Sequence, residues 1–201
     1  MPLIESQRVA LAQVRTFLEN TTPFQLGAAE SVNQRARQPN PAHLPADVTV
    51  RVEIAPPCPR PLPLLSTSAL KTPERVPVYF YALQDAKPDA DAAETRVVFF
   101  IHGGGNLTGH PTDQPFIHLF SQILQAAAAH SGDASKLVVI APSYRLATIP
   151  ENTFPAALQD VSAAYEYVIS KGYKASNIFL AGDSAGGNHG WSACSCTDNV
   201  D

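Results

Sequence analysis

From Arg96 onward the chain alternates short apolar runs with longer segments in which apolar residues recur every three or four positions. Arg96-Val97-Val98-Phe99-Phe100-Ile101 and Lys136-Leu137-Val138-Val139-Ile140-Ala141 are continuous apolar runs, the pattern of strands buried on both faces. Between them, Phe116, Leu119, Phe120, Ile123, Leu124 and Ala127 recur at helical spacing within Pro115 to His130. Phe154 to Lys171 repeats that pattern, with Leu158, Val161, Ala164, Tyr165 and Val168 on one face and Gly172 ending it. Asn177-Ile178-Phe179-Leu180-Ala181 is a further strand. Strand, helix, strand, helix, strand is the order of a parallel α/β architecture.

The first half is patterned differently. Leu3, Ile4, Leu11, Val14 and Leu18 predict an amphipathic helix over the first twenty residues. Its polar face is not rich in lysine, so packing against the protein body fits it better than lying on a membrane. Prolines interrupt the pattern from Gln38 to Pro45. Asp47 to Ile54 then alternates polar and apolar, the period of a half-buried strand. Ala55 to Pro77 carries seven prolines and reads as an extended loop. Val78 to Leu83 is a second strand, and Asp85 to Glu94 a polar turn.

Composition changes this picture little. A chain of 201 residues has room for one domain with a sizeable core. A net charge of -4 gives no support to nucleic-acid binding. Cys58, Cys194 and Cys196 are an odd set without a disulfide framework, and the Cys194-x-Cys196 pair lacks the second pair a zinc site needs. Glu5 and Arg8 interrupt the apolar stretch a signal peptide requires. No segment approaches the ~20 apolar residues of a membrane span. A cytoplasmic protein with no metal and no organic cofactor is the expectation.

Chemistry enters at two glycine-rich loops, each directly after an apolar run. Gly182-Asp183-Ser184-Ala185-Gly186 spells G-x-S-x-G after Ala181, the context of a nucleophile elbow, in which a strained strand-to-helix turn pushes the serine hydroxyl above the sheet. Glycines at its flanks avoid collisions with the neighbouring strand and helix. His102-Gly103-Gly104-Gly105 follows Ile101. Its backbone N–H groups, with that of Ala185, suit an oxyanion hole, because no side chain there blocks a substrate carbonyl. Either motif alone is common by chance, and a glycine-rich turn can also hold phosphate. No lysine follows Gly104-Gly105-Asn106, which weakens the nucleotide reading. The two loops in this order are the specific signal.

With Tyr144-Arg145-Leu146-Ala147, Pro150-Glu151 and Phe154-Pro155-Ala156-Ala157-Leu158-Gln159-Asp160 between them, these loops resemble the hormone-sensitive-lipase-like branch of the α/β-hydrolase superfamily, α/β-hydrolase fold-3. The resemblance runs from about Arg96 to Asn188, with Thr148-Ile149 inserted before Pro150. It implies an α/β-hydrolase fold, a mostly parallel sheet with flanking helices. It also implies carboxylester hydrolysis of small or medium acyl esters without a cofactor. Ser184 would be the nucleophile and Gly104, Gly105 and Ala185 the oxyanion donors, with Gly103 shaping that turn. His102 is open to two roles, general base or brace of the loop, and the family favours the brace. Asp183 would be structural, and Tyr144 and Arg145 would order the loop after their strand. Residues 1–45 would be a cap region and 46–188 a partial hydrolase domain.

A serine needs a histidine to take its proton and an acid to orient that histidine. In this fold both follow the serine. His189 is the only histidine after Ser184, with no acid between them. It lies about 7.5 Å along the helix leaving the elbow, facing away from the serine side chain. The polar, Gly- and Cys-punctuated stretch 189–201 departs from the family pattern and reads as an atypical tail. The expectation is a chain truncated after the elbow, by a frameshift or intron read-through, with later strands missing, the strand before Ser184 left as an edge, and little or no turnover. A non-catalytic hydrolase-fold protein that binds a small ligand is the alternative.

Overall fold

A computed structural model describes residues 30–58, 70–131 and 135–190 of the chain. Five strands, β1 (Val48–Ala55), β2 (Val76–Leu83), β3 (Arg96–Ile101), β4 (Leu137–Pro142) and β5 (Ile178–Gly182), form one sheet in the order β1-β2-β4-β3-β5. β3 runs parallel to β4 and β5, while β2 is antiparallel to both β1 and β4, so all strands but β2 point the same way. This is a mostly parallel α/β sheet, parallel where the strand–helix alternation predicts it and mixed at the β1–β2 margin.

The apolar runs are strands because helices cover both faces. Val97, Phe99 and Ile101 share one face with Val138 and Ile140, beneath Val161, Ala164 and Val168 of α3 (Ala156–Ser170). Phe100, Val139 and Ala141 face the other way, against Ile117, Phe120 and Leu124 of α2 (Gln114–Ser131). Each such side chain, once buried, contributes roughly 1.5–3 kcal/mol. β4, in the middle, is buried at every position.

Two details differ from the pattern in the sequence. β2 begins at Val76, inside the segment read as a loop, with Pro77 opposite Ile54. The proline is tolerated because the β2–β4 ladder starts only at Val78, while the Pro77 carbonyl accepts the Ser143 N–H at 2.8 Å. A single helical turn, α1 (Val32–Arg35), precedes β1 and opens on a Ser31–Gln34 capping box. It inserts Arg35 into the body of the protein, where the side chain is buried. The helix expected over the first twenty residues lies outside the described residues.

β5 is the contrasting strand. Among the described residues it pairs with β3 only, and Phe179 is 69% exposed. No helix among the described residues is long and apolar enough to cross a membrane.

Candidate active site

The β3–β5 register sets Ile101 beside Gly182, so the loops leaving the two strands emerge side by side. After β5 the chain turns at Ser184, an exposed residue with φ 48, and is helical over residues 185–190, here α4. A left-handed φ on a non-glycine residue is costly and persists only where surrounding contacts impose it. The Gly186 N–H closes the turn onto the Asp183 carbonyl at 2.8 Å. A Cβ on Gly186 would overlap the Ile101 carbonyl and come within 2.7 Å of the His102 carbonyl. Only glycine lets α4 lie this close to the end of β3, and that approach forces the turn at Ser184.

The glycine loop is tied to this turn. The Gly103 N–H donates to Asp183 Oδ1 at 2.7 Å. Gly103 therefore spends its donor on Asp183, while the Gly104 and Gly105 N–H groups donate to nothing among the described residues. Gly104 has φ 105, and a Cβ there would run into the Thr108 carbonyl; a Cβ on Gly105 would meet nothing within 4 Å among the described residues. The loop is thus packed at Gly104 and open at Gly105. Ala185, in the first turn of α4, has an N–H of the kind a helix leaves without an intrahelical acceptor.

Beneath the loop lies a stack of rings. His102 is 1% exposed and stacks on Tyr144, with centroids 4.2 Å apart and planes at 13°. Its Nδ1 is 2.9 Å from the Gly103 carbonyl, which can only accept, so Nδ1 carries the proton and Nε2 has no partner among the described residues. Burial pushes its pKa down to about 4, so the ring is neutral at pH 7. The Tyr144 hydroxyl donates to the His102 carbonyl at 2.7 Å. Arg145 turns into the protein, where it grips Asp160 through Nε and Nη2 and reaches the Thr72 carbonyl through Nη1. Tyr144 and Arg145 therefore order the loop after β4.

Ser184, Ala185, Gly103, Gly104 and Gly105 are brought to one edge of the sheet. No histidine hydrogen-bonds Ser184 among the described residues. His102 bonds within its own loop, and both nitrogens of His110 are engaged, with Thr112 and with the Arg35 carbonyl. His189 bonds Asn106 at 2.6 Å and is buried, with its pKa lowered by desolvation. Sequence reasoning missed Asn106, Arg35 and His110. Asn106 carries a signal in retrospect, since asparagine directly after glycines tolerates the left-handed φ of 63 it adopts. Nothing local marks the other two.

Residues 98–195 match a family model described as alpha/beta hydrolase fold. The match continues past Asn188, where the motif resemblance stops. A 91-residue stretch is 38% identical to an acetyl-hydrolase of Streptomyces hygroscopicus, covering 45% of this chain and 26% of that protein. A 109-residue stretch is 35% identical to a gibberellin receptor of Oryza sativa subsp. japonica, covering 50% of this chain and 27% of that protein. The fold is similar to that of a hyperthermophilic esterase from the archaeon Pyrobaculum calidifontis, with a TM-score of 0.53 at 23% identity, over 98% of this chain and 55% of that one. The chain spans about a quarter of the length of these curated relatives and about half of the solved esterase.

Proposed function

We propose that the chain is an α/β hydrolase of the hormone-sensitive-lipase-like type and that its two loops form the acylation half of a carboxylester hydrolase site. Ser184 Oγ attacks the ester carbonyl. The oxyanion is received by the N–H groups of Gly104, Gly105 and Ala185, of which the two glycine donors have no partner among the described residues. The alcohol departs with a proton, leaving an acyl group on Ser184 that water removes. Gly103 serves the site by its bond to Asp183 rather than as a donor, and His102 serves as a brace under the loop. The observation that carries this reading is the left-handed turn at Ser184 beside unengaged glycine amides.

No base within the described residues takes the serine proton, so that proton passes to solvent and turnover is slow. Serine hydrolases stripped of a triad member still retain roughly 10³–10⁴-fold catalysis over water from the oxyanion hole and binding. The test is to incubate the purified chain with p-nitrophenyl acetate or butyrate, follow p-nitrophenolate, and locate the acyl group by mass spectrometry. Slow acylation confined to Ser184 and abolished by Ser184→Ala is expected. Robust turnover would overturn the claim of slowness, and absence of any Ser184 acylation would overturn the hydrolase reading.

The similarity to a gibberellin receptor favours a second reading, in which the same two loops hold a small ligand without reaction. Saturable binding of an intact ester, with Ser184 unmodified, is its expected result.

A further inference from the structure

His189 is the buried residue beside the site that neither motif accounts for. It follows Ser184 by five positions on α4 and is 6% exposed. Its ring stands edge-on to Tyr144, with centroids 5.4 Å apart, and its Nε2 lies 2.6 Å from Asn106 Oδ1. An amide oxygen only accepts, so Nε2 carries the proton and donates.

Asn106 closes a run of left-handed backbone, with φ 105 at Gly104, 64 at Gly105 and 63 at Asn106. A free chain seldom holds three such residues in succession, so the turn must be fixed from outside. Its carbonyl accepts the Ala147 N–H at 2.7 Å, which anchors it to the loop after β4. Its side chain is anchored to α4 by His189. At the other end of the loop, Gly103 is held by Asp183. Ser184 thus lies between two residues, one just before it and one a helical turn beyond, that reach across to the same loop.

We infer that His189 is a positioning residue for the oxyanion donors. Its Nε2–H latches Asn106, so that the Gly104 and Gly105 amides keep a fixed offset from the turn carrying Ser184. This role rests on the reading of that loop as the oxyanion-binding element. Without the His189 tie the far end of the loop is held to the loop after β4 by the Ala147 N–H but no longer to α4, the helix that follows Ser184. With both ties, loop and nucleophile move as one body. His189 transfers no proton here, since its donor is committed to Asn106 and it acts through the loop.

The reporters are the amides bonded to that loop: Leu107 and Thr108, which donate to the Gly104 carbonyl, and Ala147, which donates to Asn106. Hydrogen exchange at these three is measured on the full chain as wild type, His189→Leu, His189→Gln and Asn106→Gly. In His189→Leu, which fills the space but cannot donate, they should exchange about tenfold faster, the worth of one neutral hydrogen bond, with β3 and β4 unchanged. His189→Gln, whose amide nitrogen can reach the same oxygen, should stay within about threefold of wild type. Asn106→Gly keeps the left-handed backbone but removes the acceptor, so it should behave like His189→Leu, and it decides the question if the leucine variant does not fold. Unchanged exchange in Asn106→Gly, or equal acceleration in the leucine and glutamine variants, would overturn the latch. Because this readout involves no ester, it separates the latch from the hydrolase reading. A protected loop in a chain that Ser184 acylation shows to be inert leaves the latch standing and removes the chemistry.

Discussion

Phe99 on β3 and Phe179 on β5 belong to neighbouring parallel strands, yet Phe99 is completely buried and Phe179 is 69% exposed. The contrast extends to everything around them. The β1–β4 region is held by apolar layers on both faces and by a clasp of buried charges. The β5 region carries Ser184 at the turn after a strand with one neighbour among the described residues, and is held by particular bonds: Asp183 to Gly103, His189 to Asn106, and the tight fit of Gly186 under β3. The bulk of the burial thus lies in one region and the strained backbone in the other. The turn at Ser184 is imposed by a few directed contacts against a rigid partner, so β3 must be immobile for the elbow to keep its shape.

The strongest way to break the comparison is at the charge clasp. Asp160 is 1% exposed and accepts from the Arg145 N–H, from Arg145 Nε and Nη2, and from Arg35 Nη1. Through it, α3, the loop after β4 and the α1 turn are joined. Asp160→Ala leaves the two buried guanidiniums with only the half-exposed Glu74 carboxylate as counter-charge and should cost about 3–5 kcal/mol, read as a shift in the urea midpoint. A change below about 1 kcal/mol would mean that the clasp is not what secures the covered region.

Acid should act next, through His102 and His110 beside the covered strands and through His189 in the β5 region, since β5 itself has no titratable side chain. Desolvation lowers the pKa of His102 to about 4 and of His110 to about 3, and lowers that of His189 too. The unfolded chain takes up these protons near pH 6.5 and the folded chain only at lower pH. Between those values the unfolded state binds more protons, so stability present at pH 7 is lost as pH falls. Urea midpoints at pH 7, 5.5 and 4 should decline steadily, with His102 and His110 each contributing on the order of 3 kcal/mol by pH 4. His110→Gln, which replaces one of these rings by a neutral amide, should flatten the decline. A flat profile in the wild type would show that the rings are hydrated rather than buried.

What the sequence discloses follows the same division. The β3 and β4 runs and the two long helices are legible because burial on two faces, or on one stripe, writes a pattern into the chain, and the β5 run is legible as an apolar stretch although Phe179 is exposed. The elbow and the glycine loop are legible because close backbone approach excludes side chains and leaves glycine at fixed spacing. Arg35 is not legible. It sits in a polar stretch that reads as surface, and its partner Asp160 is 125 positions away. The start of β2 is hidden because Pro77 argues locally for a loop, and only the point where the β4 ladder begins makes it acceptable. His189 is hidden for a related reason. In a segment that looks polar and atypical it reads as exposed, and only the folded loop supplies the Asn106 oxygen that makes its burial tolerable.

The smallest expected effect sharpens the contrast most directly. Phe99 packs edge-on to Tyr165 of α3, with centroids 5.8 Å apart, within the layer that holds β3. Phe99→Ala should cost about 3–5 kcal/mol, the price of a cavity in a filled core. Phe179→Ala removes a ring that is mostly in water already and should change stability by no more than about 0.5 kcal/mol. The two measured together, as urea midpoints on otherwise identical chains, compare the strands with the ring held constant. If Phe179→Ala also cost more than about 2 kcal/mol, β5 would have to be covered in solution. The exposed strand would then be a second packed surface, and the elbow would rest on burial from both sides rather than on its ties to β3 and the glycine loop.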